Sequence, residues 1–441
     1  MAGLGLMLVG RATAYTFTSL HSFTGNDGNL PHDSLVVSSN TLYGTTYFSG
    51  VSGPGTIFAI NTDGTGFTNL HNFTGGDGAN PYGGIILSGN ILYGTTTSGG
   101  VSGRGTVFAI HTDGTGFTNL YSFTASSGSP ATNSDGTNPT GSVLALLGNT
   151  LFGTTVGGGL SGCGTIFAIH TDGTGFTNFH NFTGSDRANP EGGMILLSNT
   201  LYGTTYNGGV SGLGTVFAIN TDGSGFTNLH NSALGTAAVN PIGRLSLSGG
   251  TLYGTGLDSV FAINTDGSGF TNLHHFTSND GNYLRGGLIL SGNTLYGTAS
   301  MGGAHMSGTV FKLKTDGTGF TTLYSFSMAP FTGPNTDGAG PFAGLTLSSN
   351  TLYGTTRTGG SYGYGTVFSL SFGTPQVGIT LSEKNVILTW PTNATWFTLQ
   401  SATNIDASAW NTVSPAPVVV NGQNTVTNLI SDQQKFYRLS Q

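Results

Sequence analysis

The sequence predicts an all-β protein: a seven-bladed β-propeller over residues 15–373, closed by an N-terminal outer strand, followed by a small β-sandwich over 374–441. Three observations carry this. First, "LYGTT" and its variants recur seven times, led by Tyr43, Tyr93, Phe152, Tyr202, Tyr253, Tyr296 and Tyr353 at spacings of 50, 59, 50, 51, 43 and 57 residues. A period near 50 in β-rich units marks a propeller or repeat array. Second, each copy divides into four strand-length runs, in the second copy "GGIILSG", "ILYGTTT", "GTVFAIH" and "FTNLYSF". They are rich in β-branched and aromatic residues and bounded by turn formers. Third, the chain opens at Tyr15 with "YTFTSLHSF", which matches only the fourth run, whereas the seventh copy stops near Phe372 after its third.

Taken in chain order, residues 1–14 hold an apolar run from Ala2 to Gly10 and then Ala12-Thr13-Ala14, a small-x-small pattern of the kind cut on export. The run is short and lacks a basic leader, so it reads as the back end of a signal peptide. The expected location is secreted or cell-envelope. The orphan strand at Tyr15 fits the gap in the seventh copy, and pairing with "GTVFSLSF" leaves no blade with an open edge. Within each blade the first two runs meet at Ser-Gly-Asn and the last two at "TDGTG". Both are hairpin turns in which Gly or Asn takes a positive φ.

From about Thr374 the repeat is gone. Short runs of alternating polarity follow, and Trp390, Trp396 and Trp410 are all the tryptophan of the chain. This segment looks like a small immunoglobulin- or fibronectin-III-like sandwich, with Trp390 and Trp396 read as its core.

The strand order, with Gly-Gly after the "LYGTT" strand, resembles the kelch pattern. The recurring "LYGTT…GG…G.GTVF.....DG" resembles more closely the bacterial GloVer tandem repeats, over roughly residues 15–372. That resemblance implies an exported protein and carries no established activity. The fifth copy, "LYGTGLDSVF", has lost the Gly-Gly loop.

Composition excludes several classes. Charged residues are only 7% and the net charge is −7, with no run of Lys or Arg to track phosphates, so nucleic acid is not an expected partner. No stretch approaches the ~18 apolar residues of a membrane span. The single cysteine, Cys163, rules out an intramolecular disulfide, and its place in "SGCG" matches "SGPG", "SGRG" and "SGLG" in other copies. A monomer is expected.

The tight turns belong to one face of such a ring and the longer connections to the other, so any site is placed among the latter, around the channel mouth. The connections at 124–141 and 327–343 are longer than their equivalents. These mouth loops carry aromatics that differ between copies: Tyr47, Phe48, Tyr82, Tyr206, Tyr283, Phe331, Phe342 and Tyr362. Set among Asn, Ser and Thr, such rings suit stacking on sugars; the alternative is packing between blades. The expected function is a non-catalytic binding or cell-envelope module for a glycan or surface protein, with Tyr47, Tyr82, Tyr206, Tyr283, Phe342, Tyr362 and Arg285 as the ligand-binding candidates.

An enzyme reading needs two carboxylates flanking a scissile bond. Glu191 is the only Glu in the propeller, beside Asp186 and Arg187, with His32, Asp33, Arg285 and Arg357 in other loops of the same face. A polysaccharide-degrading hydrolase or lyase would rest on Glu191, Asp186, Asp33 and His32; a structural spacer is the third reading. No cofactor is expected. The loop aspartates Asp27, Asp77, Asp135, Asp186, Asp280 and Asp337 have two readings, turn formers or a Ca²⁺ site. The "TDGTG" aspartates, Asp63, Asp113, Asp172, Asp222, Asp266 and Asp316, are read as hairpin residues, and His21, His71, His180, His230 and His274 as structural residues of the outermost strands.

Overall fold

The computed structural model describes residues 15–48, 53–140, 144–183, 189–233, 239–328, 333–373, 377–382, 385–391, 398–403, 409–420, 423–429 and 435–440. The suspected signal peptide, Asp186, Arg187, Phe331 and Trp396 lie outside them. The described residues are all-β without a helix, built of antiparallel sheets that are four-stranded with one exception. No helix is long and apolar enough to cross a membrane.

Each repeat makes one sheet whose strands pair in chain order. In the first these are Val36–Ser38, Thr41–Thr46, Thr56–Asn61 and Thr68–Asn72. The seventh takes Thr346–Ser348, Thr351–Thr356 and Thr366–Phe372, and its fourth strand is Tyr15–Ser22 from the opposite end of the chain. The orphan segment therefore fills the gap, as the count of strand types predicts.

The glycine of "LYGTT" has a packing role. Gly44 lies opposite Phe58 across the two central strands, and a Cβ there would stand 2.6 Å from the Phe58 ring and 2.7 Å from Leu35. The same Gly-on-Phe contact recurs at Gly94, Gly153, Gly203, Gly254, Gly297 and Gly354. Six of the sheets bulge where the third strand meets the fourth, as between Ile57 and Phe58. Such a bulge raises the local twist.

The cores lie between consecutive sheets, because both faces of the central strands are apolar. Tyr43, Ile57 and Phe73 of the first sheet pack with Ile85, Leu92 and Phe108 of the second. The seventh packs on the first in the same manner, with Tyr353 and Val367 against Leu42, Phe58 and Ile60. Thr346 Oγ1 donates to the Leu35 carbonyl.

A second set of contacts runs along the outermost strands. The ring of His21 stacks on Phe67 of the next sheet at 3.8 Å, His71 on Phe117 at 3.8 Å and Tyr121 on Phe176 at 3.8 Å. His180 stacks on Phe226 at 4.0 Å, His230 on Phe270 at 3.7 Å, His274 on Phe320 at 3.9 Å, and Tyr324 on Phe17 at 4.1 Å. The last stack returns to the N-terminal strand, so the contacts form a cycle. The repeated histidines are structural residues, and their role is to join neighbouring sheets.

The chain divides into two compact units, and the sheets just described belong chiefly to the larger. In the smaller, Gly378–Ser382, Asn385–Pro391, Gln423–Leu429 and Val418–Val420 form one sheet, and Asn411–Thr412, Thr398–Ala402 and Phe436–Ser440 another. Their core is Val386, Leu388, Trp390, Leu399, Val413 and Val426, with Trp390 2% exposed. Trp410 instead lies under the Arg438 guanidinium, 4.3 Å from the ring centroid.

Candidate functional site

The connections between sheets share a frame. The residue before the loop proline takes a left-handed backbone, as at Asn80 (φ 57°), Asn138 (φ 54°), Asn189 (φ 38°) and Asn240 (φ 51°). Asparagine tolerates this conformation better than most residues. The residue after the proline is then presented at one equivalent point in every copy: His32, Tyr82, Thr140, Glu191, Ile242, Arg285 (after Leu284 in place of proline) and Phe342. In a repeat whose strands barely change, this position holds a different residue in each of seven copies.

Six of those seven, all but Thr140, line one small chamber of about 50 Å³, together with Asp33 and Arg244. A larger chamber of about 410 Å³ shares His32, Tyr82, Arg285 and Phe342 and adds Tyr47, Tyr283, Ser300, Met301 and Arg357. Tyr47, Ser300 and Arg357 come from the other long connection, directly after the "LYGTT" strand. Residues nearly the whole repeat array apart in sequence meet here. The His32 ring stacks on Tyr82 at 4.6 Å and stands edge-on to Tyr47 at 5.3 Å and to Phe342 at 5.7 Å.

The charges are unequal between the chambers. Asp33 and Glu191 both face the smaller one, with Arg244 and Arg285. Burial pushes the Asp33 carboxyl up to about 6, against the opposing pull of the backbone N–H groups of Ser34 and Gly84 and of Arg244. Its side chain nonetheless touches the chamber, so the group is deep without being sealed. Burial likewise raises Glu191, opposed by Arg285. The larger chamber holds Arg285 and Arg357 and no carboxylate. Burial, then Arg357 and Arg285, drive His32 down to about 3, so its imidazole is neutral at pH 7. Both guanidiniums lie over Phe342, Arg357 at 4.9 Å and Arg285 at 5.4 Å from the ring centroid.

Of the sequence candidates, His32, Asp33, Tyr47, Tyr82, Glu191, Tyr283, Arg285, Phe342 and Arg357 are brought together. Tyr206 and Tyr362 line neither chamber, and Tyr362 is 59% exposed elsewhere. Arg244 is not a candidate by loop charge alone, because it stands two residues past the variable position where most other copies carry glycine, as at Gly84, Gly193, Gly287 and Gly344; aligning the seven copies column by column exposes it.

The loop aspartates are engaged within their own loops. Asp27 accepts hydrogen bonds from Thr24 N at 2.7 Å and Thr24 Oγ1 at 2.9 Å, and lies 3.0 Å from His21 Nε2. Asp77 repeats this with Thr74 and His71, and Asp280 with Thr277. In the two long loops a tyrosine replaces the histidine: Tyr121 donates to Asp135 at 2.9 Å and Tyr324 to Asp337 at 2.7 Å. Among the described residues no group of three or more His, Cys, Asp or Glu is gathered for a metal ion. The "TDGTG" aspartates cap their turns, as Asp63 accepts from Thr65 N at 2.9 Å.

Comparison with known proteins supports the architecture. The extracellular domain of a proposed one component system from B. thetaiotaomicron matches with a TM-score of 0.52 at 12% identity, over 91% of this chain and 48% of that one, about half its length. An oligogalacturonate lyase in complex with manganese matches at 0.50 and 11% identity, over 82% of this chain and 94% of that one. A puromycin hydrolase S511A mutant matches at 0.50 and 10% identity, over 83% and 59%. At such identities the likeness is one of fold, and the fold is β-propeller-like. No curated protein matches the chain. The Gloeobacter/Verrucomicrobia repeat matches residues 8–195, 129–259 and 255–385, most of the chain, and the protein belongs to that family.

Proposed function

We propose that the protein is an exported, non-catalytic glycan-binding module: a seven-bladed β-propeller with kelch-like strand order and its ligand in the larger chamber, followed by an immunoglobulin- or fibronectin-III-like sandwich. The cycle of outer-strand stacks and the packing of the seventh sheet on the first support the closed ring. The observation that carries the function is the lining of the larger chamber. About 410 Å³ falls within the range of small-molecule sites. Its walls carry the rings of Tyr47, Tyr82, Tyr283 and Phe342, with the guanidiniums of Arg285 and Arg357 as donors and the Ser300 hydroxyl, whose own proton goes to the Tyr283 carbonyl, as an acceptor. Rings for stacking beside fixed donors are what a sugar, apolar on its faces and polar at its rim, requires.

A degrading enzyme is a second reading, because Asp33 and Glu191 share a chamber and both are raised toward neutrality. That chamber, at about 50 Å³, has room for a few waters. The larger chamber beside it has no carboxylate in its lining, which favours binding over cleavage there.

The test is thermal melting of the full chain across a glycan library, with and without calcium. A stabilising glycan whose effect is lost in Phe342→Ala is the expected result. Cleavage products accumulating in the same mixtures, and lost in Glu191→Gln, would instead establish the enzyme. A shift with calcium alone would reassign the loop aspartates to ion sites.

A further inference from the structure

We propose that the ligand of the larger chamber is an acidic saccharide carrying carboxylate groups, and that Arg285 and Arg357 select it. This rests on the reading of that chamber as a glycan site and names the class of sugar.

In a chain with only 11 Lys and Arg in all, three, Arg244, Arg285 and Arg357, face two adjoining chambers. At the position of Arg357 the other copies carry Tyr47, Thr97, Val156, Tyr206, Leu257 and Ser300, none of them charged. The larger chamber thus holds two cations and no carboxylate.

Both guanidiniums are held on the same ring, that of Phe342. Cation–π contact fixes their planes but does not neutralise them. Among the described residues neither forms an ion pair within 4.0 Å, and the Nε of Arg357 is buried without a hydrogen-bond partner. Arg285 also faces Glu191 in the smaller chamber, so Arg357 is the cation with no carboxylate in its own lining; two like charges so close in a half-buried site favour an anion that joins them. A guanidinium is a planar fork of donors that matches a carboxylate through two parallel hydrogen bonds. A neutral sugar makes no use of that charge, whereas a uronate places its carboxylate at the edge of the ring that would stack on Tyr82 or Tyr283.

The experiment is calorimetry of the full chain with cellotriose and maltotriose, each beside the forms oxidised or sulfated at C6, at two ionic strengths. Polyglutamate serves as the anion without sugar. The expected result is that one oxidised trimer binds at least about tenfold tighter than its neutral parent, the scale of one charge-assisted pair. Arg285→Gln and Arg357→Gln should each reduce that ratio, with wild-type melting confirmed. Arg357→Lys should restore it only in part, because charge is kept and the fork is lost. Tyr362→Ala, outside both chambers, should leave it unchanged.

Equal binding of neutral and oxidised trimers would overturn the acidic-sugar inference and leave the glycan reading intact. Preference for the sulfated forms would overturn carboxylate selection in the same way. Binding of polyglutamate as tight as that of any sugar, or of no trimer at all, would overturn both.

Discussion

Tyr283 holds a φ of 56°, in the left-handed region, where four equivalent loops place Asn80, Asn138, Asn189 and Asn240. A bulky side chain there costs on the order of 1–2 kcal/mol. The strain coincides with a ring that is 43% exposed on the wall of the larger chamber. Tyr283→Asn is therefore expected to stabilise the fold by about 1 kcal/mol and to weaken ligand binding, read as a higher Tm together with a raised Kd. A loss on both counts would remove the functional meaning of the strain. At this scale the sequence was partly legible. His32, Asp33, Tyr82, Glu191 and Phe342 are singled out by charge or aromaticity in loops, and all face the chambers. Tyr206 has the same credentials and lines neither, because nothing in residue type reports the direction of a side chain. The better signal is contrast: one position that changes in every copy while the strands around it repeat.

Strands were the most legible elements, since alternating runs, Gly-bearing turns and a fixed period all pointed the same way. What periodicity does not reveal is which neighbour a side chain meets. The histidines of "LHNF" are recognisable as outer-strand residues, yet their stacking on the next sheet depends on twist and spacing between sheets. The coupling of loop to strand was also hidden. Where Tyr121 and Tyr324 replace histidine, the aspartate that answers them is carried by a longer loop and is buried, at 3% for Asp135 and 5% for Asp337. The terminal strand supplies a test. Deleting residues 15–23 removes the fourth strand of the seventh sheet, the stack of Phe17 on Tyr324 and that of His21 on Phe67. The melting temperature should fall sharply or the protein should aggregate through the exposed strand Thr366–Phe372; an unchanged melt would refute the closure.

For the whole molecule, the seams are repeated devices, and so is their dependence on pH. For Asp27 and Asp77, burial alone would raise the carboxyl, but hydrogen bonds from His21 and Thr24, and from Thr74 and His71, outweigh it and lower the folded value below 3.8. The stabilisation they give is therefore complete above the ordinary carboxylate range and is lost as pH falls through the lowered values. Far-ultraviolet dichroism should show the Tm dropping below about pH 4, and the drop should be smaller in the Asp27→Asn, Asp77→Asn double variant. Tryptophan fluorescence is a separate readout, because every tryptophan lies after residue 373. The pairing of the first strand with the last repeat also sets a timetable. Ser22 and Ser361, joined by a hydrogen bond of 3.3 Å, are 339 residues apart. At ribosomal speeds of 5–20 residues per second, the N-terminal strand spends roughly 20–70 seconds as a bare edge before its partner is synthesised. Through that interval the strand is open to pairing with other exposed edges, a hazard that the strands paired with their chain neighbours do not carry for so long.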